Sequence, residues 1–202
     1  MEKGSATVMI GVGGWEHEAF DQCFYPRAGA GSLEKLSYYT RFFETVEVRP
    51  AFWDDAISAE DAMRWVDAVK ESKHFLINVK LHQSFTHKRE LKPQSARQIR
   101  GVLQALAQHD RLGALLMQFP YSFTNTSANR FHLIRLAEVF AGYPMRVEFR
   151  HDSWNQASTW DILQEHSVSL VNAPDGECSV HSTLIDALSG VWVMGAKKIR
   201  CG

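Results

Sequence analysis

The chain has 202 residues, 45% hydrophobic and 22% charged, with a formal net charge of -1 and a sequence pI near 6.8. That length supports one sizeable core, the composition excludes disorder and fibrous repeats, and near-neutrality removes any global attraction to polyanions or acidic membranes. No apolar run reaches the length of a membrane span and the opening MEKGSATVMIGVGGW lacks a long signal core, so a cytoplasmic protein without a membrane partner is expected.

In chain order, TVMIGVGG reads as a first strand, and SLEKLSYYTRFF as a helix with Ser32 as candidate N-cap and Leu33, Leu36, Thr40 and Phe43 along one face. TVEVRP is a second strand, stopped by Pro50. SAEDAMRWVDAVKES opens with Ser58 and Asp61 in capping-box spacing and turns Ala62, Trp65, Val66 and Val69 to one side. HFLINVKLH is a third strand, and SARQIRGVLQALAQH a helix carrying Ile99, Val102, Leu103 and Leu106. LGALLMQFP is a fourth strand, and SANRFHLIRLAEVFAG a helix ending near Gly142. MRVEFRH, STWDILQEH and VSLVNA follow as strand, helix and strand. Strands separated by helices need crossovers, so the class is α/β with a mainly parallel sheet, either doubly wound or a closed barrel.

The strands discriminate between those two. Side chains alternate along a strand, and here one side is apolar: Val46 and Val48; Ile77, Val79 and Leu81; Leu115, Met117 and Phe119; Val147 and Phe149. The other side carries Glu47 and Arg49; Asn78, Lys80 and His82; Gln118; Arg146, Glu148 and Arg150. A doubly wound sheet has helices on both faces and tolerates such residues poorly, whereas a barrel opens its inward residues onto a functional mouth at the strand C-termini. Four inward cations (Arg49, Lys80, Arg146, Arg150) against two carboxylates (Glu47, Glu148) leave a local positive excess, which predicts a small anionic molecule as ligand. The competing reading is a self-satisfied ion-pair network that fixes register, with Arg146 paired to a glutamate.

IGVGGWEHEAFDQCFYP, FFETVEVRPAFW, FLINVKLHQSFTHKREL, LGALLMQFPYSF, VEFRHDSW and VNAPDG, in that order, resemble the YecE-like family, domain of unknown function 72, from about Ile10 to Gly176. The resemblance implies a TIM-type (β/α) barrel and brings no settled reaction. Family-typical positions include Trp15, Glu47, Lys80, His87, Gln118, Glu148, Arg150, His151 and Trp154. Two departures are Arg49-Pro50 after the second strand and the stretch beyond Gly176. A full TIM barrel takes roughly 250 residues, so an incomplete one of about six to seven of eight strands is expected. Residues 1–176 form that barrel and 177–202 a divergent tail, with GVWVMG as candidate seventh strand. Open sheet edges would then invite oligomerisation.

The expected chemistry is an enzyme on a small anionic, phosphorylated or sugar-derived substrate. Lys80, Arg150 and Arg49 hold the anion, Glu148 or Glu47 is general base, and His87 or His151 shuttles a proton. Gln118, Trp15 and Trp154 complete the ligand-binding set. The alternative is a non-catalytic anion-binding module or inactive truncated remnant. A metal-dependent hydrolase or isomerase using His82, His87, His151, Glu47 and Glu148 ranks lower, because no HExxH is present and the positive excess opposes a cation. No metal is therefore expected. No cofactor is expected either, since GVGGWE lacks the third glycine of a dinucleotide fingerprint and no phosphate-binding P-loop occurs. HKRE at 87–90 is short and mixed in sign, which gives no reason for a nucleic-acid partner. Trp15, Phe20, Phe24 and Tyr25 could form an aromatic lid, although packing is the commoner use of such a loop.

Overall fold

A computed structural model of the chain describes residues 8–27, 29–49 and 57–171. Among these residues six strands form one sheet: β1 (Gly11–Gly13), β2 (Thr45–Val48), β3 (Leu76–Lys80), β4 (Leu112–Gln118), β5 (Met145–Glu148) and β6 (Val168–Leu170). Seven α-helices accompany them: α1 (Glu18–Cys23), α2 (Ser32–Tyr39), α3 (Ala59–Ala68), α4 (Gln83–Thr86), α5 (Pro93–Ala107), α6 (Ser127–Val139) and α7 (Ala157–Glu165). The fold is α/β with an all-parallel sheet.

Strand order in space is strand order in sequence, β1-β2-β3-β4-β5-β6, and every neighbouring pair is parallel. Each crossover therefore steps in the same direction. Right-handed crossovers then carry all the helices to one face of the sheet. In keeping with that, α2 packs on α3 and α3 on α5. The core lies between this row of helices and the sheet. Val46, Val48, Ile77, Val79, Leu81, Leu115, Met117, Val147 and Phe149 supply its sheet side, and Leu36, Tyr39, Trp65, Ile99, Val102, Leu103 and Leu106 its helix side. Ala114 and Leu116 are buried yet stand apart from that cluster, as alternation along β4 requires.

Local sequence explains most boundaries. Ser58 and Asp61 form the capping box of α3, with Ser58 N–H donating to Asp61 Oδ2 at 2.9 Å. Thr126 caps α6, and Pro93 opens α5 two residues ahead of the SARQ segment, where its missing N–H costs nothing. Gly31, not Ser32, is the N-cap of α2, and the buried stripe of that helix is Leu36 and Tyr39, while Leu33 is exposed. Tyr39 Oη accepts from Val12 N–H at 2.8 Å and donates to Thr45 O at 3.1 Å, tying α2 to both strands beneath it.

The first strand is shorter than expected. Among the described residues β1 pairs with β2 alone, and Val8 and Ile10 ahead of it are exposed. β1 and β6 are the sheet edges among the described residues. The candidate seventh strand GVWVMG and the whole segment 177–202 lie outside the described residues. Among the described residues no helix is long and apolar enough to cross a membrane.

The β3–β4 pairing contains an irregularity. Ile77 is opposite Leu112 and Val79 opposite Leu115, so β4 spends one residue more than β3 between them. Gly113 falls in that step. A Cβ there would sit 2.3 Å from Asn78 Oδ1, so the glycine makes room for the asparagine on the polar face.

Candidate functional site

The sheet face turned away from the helices collects its polar side chains toward the strand C-termini. Glu47 on β2, Asn78 on β3 and Glu148 on β5 are all buried, which is unusual for such groups. Register places Glu47 opposite Asn78 and Gln118 opposite Glu148. Lys80 is the last residue of β3, and Arg49 and Arg150 follow the ends of β2 and β5.

Glu148 is held by two donors on one oxygen. Gln118 Nε2 reaches Oε1 at 2.7 Å and Arg150 Nη2 reaches the same atom at 2.5 Å, while Oε2 accepts no hydrogen bond. Glu47 is looser. Arg49 Nε lies 3.5 Å from Glu47 Oε1, an ion pair too long for a good hydrogen bond, and among the described residues neither carboxylate oxygen of Glu47 has a hydrogen-bond donor. Arg49 itself lies across β1, because a Cβ on Gly13 would fall 2.3 Å from its Nη2. Deeper on the same face, Asn78 Nδ2 donates to Thr45 Oγ1 at 2.7 Å and to Val46 O at 3.2 Å, and its Oδ1 accepts nothing.

These groups share one electrostatic environment. Burial raises the Glu47 carboxyl above the usual glutamate range, Lys80 and Arg49 oppose that rise, and Glu148 adds to it. Burial likewise pulls the Lys80 ammonium below the usual lysine range, with Glu47 and Glu148 opposing and Arg49 and Arg150 reinforcing. His87 is held low by burial and then by the Lys80 charge, so it too faces the cluster and favours its neutral form. Its Nδ1 lies 2.9 Å from Thr86 Oγ1. Arg146, one inward position below Glu148, is depressed by burial alone.

His151 and His82 have a different local duty. In each, Nδ1 accepts the backbone N–H two residues on, Ser153 at 3.1 Å and Ser84 at 3.2 Å, which caps the short helical turn after the strand. His151 also packs its ring on exposed Tyr121, with centroids 4.7 Å apart.

The two tryptophans expected at the ligand occupy the core instead. Trp154 is fully buried, its ring lies parallel to Phe149 at 4.2 Å and to Phe123 at 5.3 Å, and its N–H donates to Phe123 O. Trp15 is buried against Trp65 and donates to Ser32 O at 2.9 Å. Both indoles are buried with their N–H groups donating to backbone carbonyls, and the Trp154 ring is stacked on two phenylalanines. Phe20 and Tyr25 are buried in the same aromatic cluster as Phe24 and Tyr39, so that loop packs.

The structure thus gathers Glu47, Arg49, Lys80, His87, Gln118, Glu148 and Arg150. It adds Asn78, whose inward position was legible, and Gly13, whose contact with Arg49 depends on the β1–β2 pairing. Among the described residues no group of three His, Cys, Asp or Glu side chains is placed to hold a metal ion.

A parallel sheet wound in one direction, with a charged cluster at its strand ends, defines an α/β protein. The chain belongs to the family described as Protein of unknown function DUF72, whose model matches residues 9–192 and so extends past Gly176. Solved structures agree on the fold. A DUF72 family protein from Thermotoga maritima is 24% identical with a TM-score of 0.68, covering 84% of this chain and 66% of its own. A DUF72 family protein from Enterococcus faecalis is 20% identical with a TM-score of 0.67, covering 87% and 66% respectively. The chain thus spans about two thirds of the length of these relatives. Comparison with curated proteins gives no match.

Proposed function

We propose that this chain binds and transforms a small anionic substrate at the C-terminal ends of β2–β5, inside a TIM-type barrel of which the six strands are the described part. One observation carries the reading: two fully buried carboxylates, Glu47 and Glu148, stand among three cations, Arg49, Lys80 and Arg150, at one end of a parallel sheet. The unidirectional strand order and the burial of the face opposite the helices support the barrel.

In this reading Arg49, Lys80 and Arg150 receive the anion. Arg49 and Arg150 keep part of their side chains in solvent, 46% and 34% exposed, so an incoming anion can reach them. Binding an anion favours the charged form of Lys80, which burial opposes. Glu47, with its raised carboxyl, exchanges a proton near neutrality more readily than an ordinary glutamate, as general acid–base work requires. Neutral His87 accepts or relays that proton. Glu148, fixed by Gln118 and Arg150, orients Arg150 toward the substrate.

Calorimetric titration of the purified chain with inorganic phosphate at low ionic strength tests the reading. Saturable binding that weakens in Lys80→Met is expected, and absence of binding overturns it. A second reading is a non-catalytic anion-binding module. Phosphate binding without turnover of any phosphorylated or carboxylated compound tested would select it.

A further inference from the structure

The cations at the mouth account for an anion but not for the carboxylate oxygens behind them. Glu47 and Glu148 are buried to 1% and 0% side-chain exposure, and three of their four oxygens, Glu47 Oε1 and Oε2 and Glu148 Oε2, accept no hydrogen bond from the described residues. A buried carboxylate oxygen without a donor is costly, so a fold does not keep three of them without something to fill the need. What these atoms require is a hydrogen-bond donor. A second anion has none to offer. A cationic donor such as an amine would be repelled by Arg49, Lys80 and Arg150 around the same two carboxylates. A neutral donor carried on an anionic molecule meets both demands, and the hydroxyl group is the donor of that kind.

We propose that Glu47 and Glu148 recognise hydroxyl groups of the ligand, and that the ligand is a phosphorylated polyol or sugar. Its phosphate faces Arg49, Lys80 and Arg150, and its carbon chain carries hydroxyls inward to the two carboxylates. This rests on the anion-binding reading above and narrows its substrate class. A phosphorylated chain of the same length without hydroxyls leaves these oxygens without a donor, so it should bind poorly.

Calorimetry on the full chain with matched pairs tests this: glycerol phosphate against propyl phosphate, and erythritol phosphate against butyl phosphate, with inorganic phosphate as the anion control. In at least one pair the polyol ester should bind about tenfold tighter or more than its alkyl partner, tenfold being the low end of the worth of one hydrogen bond to a charged acceptor. Glu47→Gln and Glu148→Gln, each replacing an acceptor oxygen by a donor amide, should shrink that ratio whatever they do to the affinity for inorganic phosphate. Near-ultraviolet circular dichroism reports that each variant is folded. Equal binding within each pair, with phosphate binding intact, overturns the hydroxyl assignment and leaves the anion site standing. A preference unchanged in both glutamine variants overturns the assignment to these residues. Failure of phosphate and every ester to bind overturns the anion reading and this inference together, whereas tight binding of unphosphorylated erythritol alone would keep the hydroxyl site and remove the anion site.

Discussion

Gln118 Nε2 and Arg150 Nη2 converge on one atom, Glu148 Oε1, at 2.7 Å and 2.5 Å. Glu148 has no solvent exposure, so its charge is sustained by these neighbours and by Lys80 rather than by water. Removing the cation leaves a buried carboxylate undercompensated, and Arg150→Ala should cost about 3 kcal/mol of unfolding free energy. Glu148→Gln keeps the shape and discards the charge, so the double variant should recover more than half of that loss. Urea unfolding of the two single variants and the double variant gives the coupling directly. An Arg150→Ala loss below about 1 kcal/mol would show that the pair is screened as a surface pair is.

Gly13 and Arg49 make a second coupled pair. The guanidinium lies where a Gly13 side chain would be, so Gly13→Ala should push Arg49 away from Glu47 with little effect on the backbone of β1. Arg49 is nearly half exposed, and its pairing with Glu47 is worth under about 1 kcal/mol. Phosphate affinity should therefore fall about two- to fivefold in Gly13→Ala and by a similar factor in Arg49→Ala. The double variant should be no worse than either alone. Additive losses, measured by calorimetry, would place the two residues in separate roles.

Trp154 should behave as core. Phe149 and Phe123 lie parallel to its ring, and a cavity there should make Trp154→Ala lose about 3–5 kcal/mol, measured by urea unfolding. Trp154→Phe fills most of that space but drops the N–H bond to Phe123 O, so it should be milder and leave phosphate affinity within about twofold. A folded Trp154→Phe protein that no longer binds phosphate would return the indole to the site.

Much of the fold is written in local pattern. Alternation along TVEVR, INVK and MRVEFR separates the core-facing residues from Glu47, Lys80 and Glu148, because a strand's two faces are fixed by parity alone. Helix faces follow the same logic, as Ile99, Val102, Leu103 and Leu106 on α5 show. Parity fails beyond the strand ends. Trp154 sits in a one-turn helix after β5, where no period says which way a side chain turns, so an aromatic next to Arg150 and His151 reads as a ligand platform when it is packing. Contacts that depend on pairing between strands are equally hidden: Gly13 under Arg49 and Gly113 under Asn78 require the register, which no single segment carries. The histidines divide on the same ground, His87 facing Lys80 while His151 spends its Nδ1 on a cap.

Glu47 provides a test in pH. Its carboxyl is raised, first by burial and further by Glu148, against the pull of Lys80 and Arg49. In the unfolded chain the same group ionises near an ordinary glutamate value, about 4.3. Between that value and its folded value the native state holds a proton that the unfolded state has lost. Stability contributed by Glu47 is therefore complete below the unfolded value and is lost as pH rises through the folded one. Glu47→Gln cannot ionise and lacks this dependence. The difference in unfolding free energy, variant minus wild type, should climb with pH from about 4.3 upward and level off once folded Glu47 is ionised. Saturating phosphate should raise the plateau, because an anion beside Arg49 and Lys80 offsets the pull of those cations on the ionised Glu47 carboxylate. A difference that falls with rising pH would mean that the cations outweigh burial and that Glu47 is an ordinary paired carboxylate, unsuited to proton transfer near neutrality.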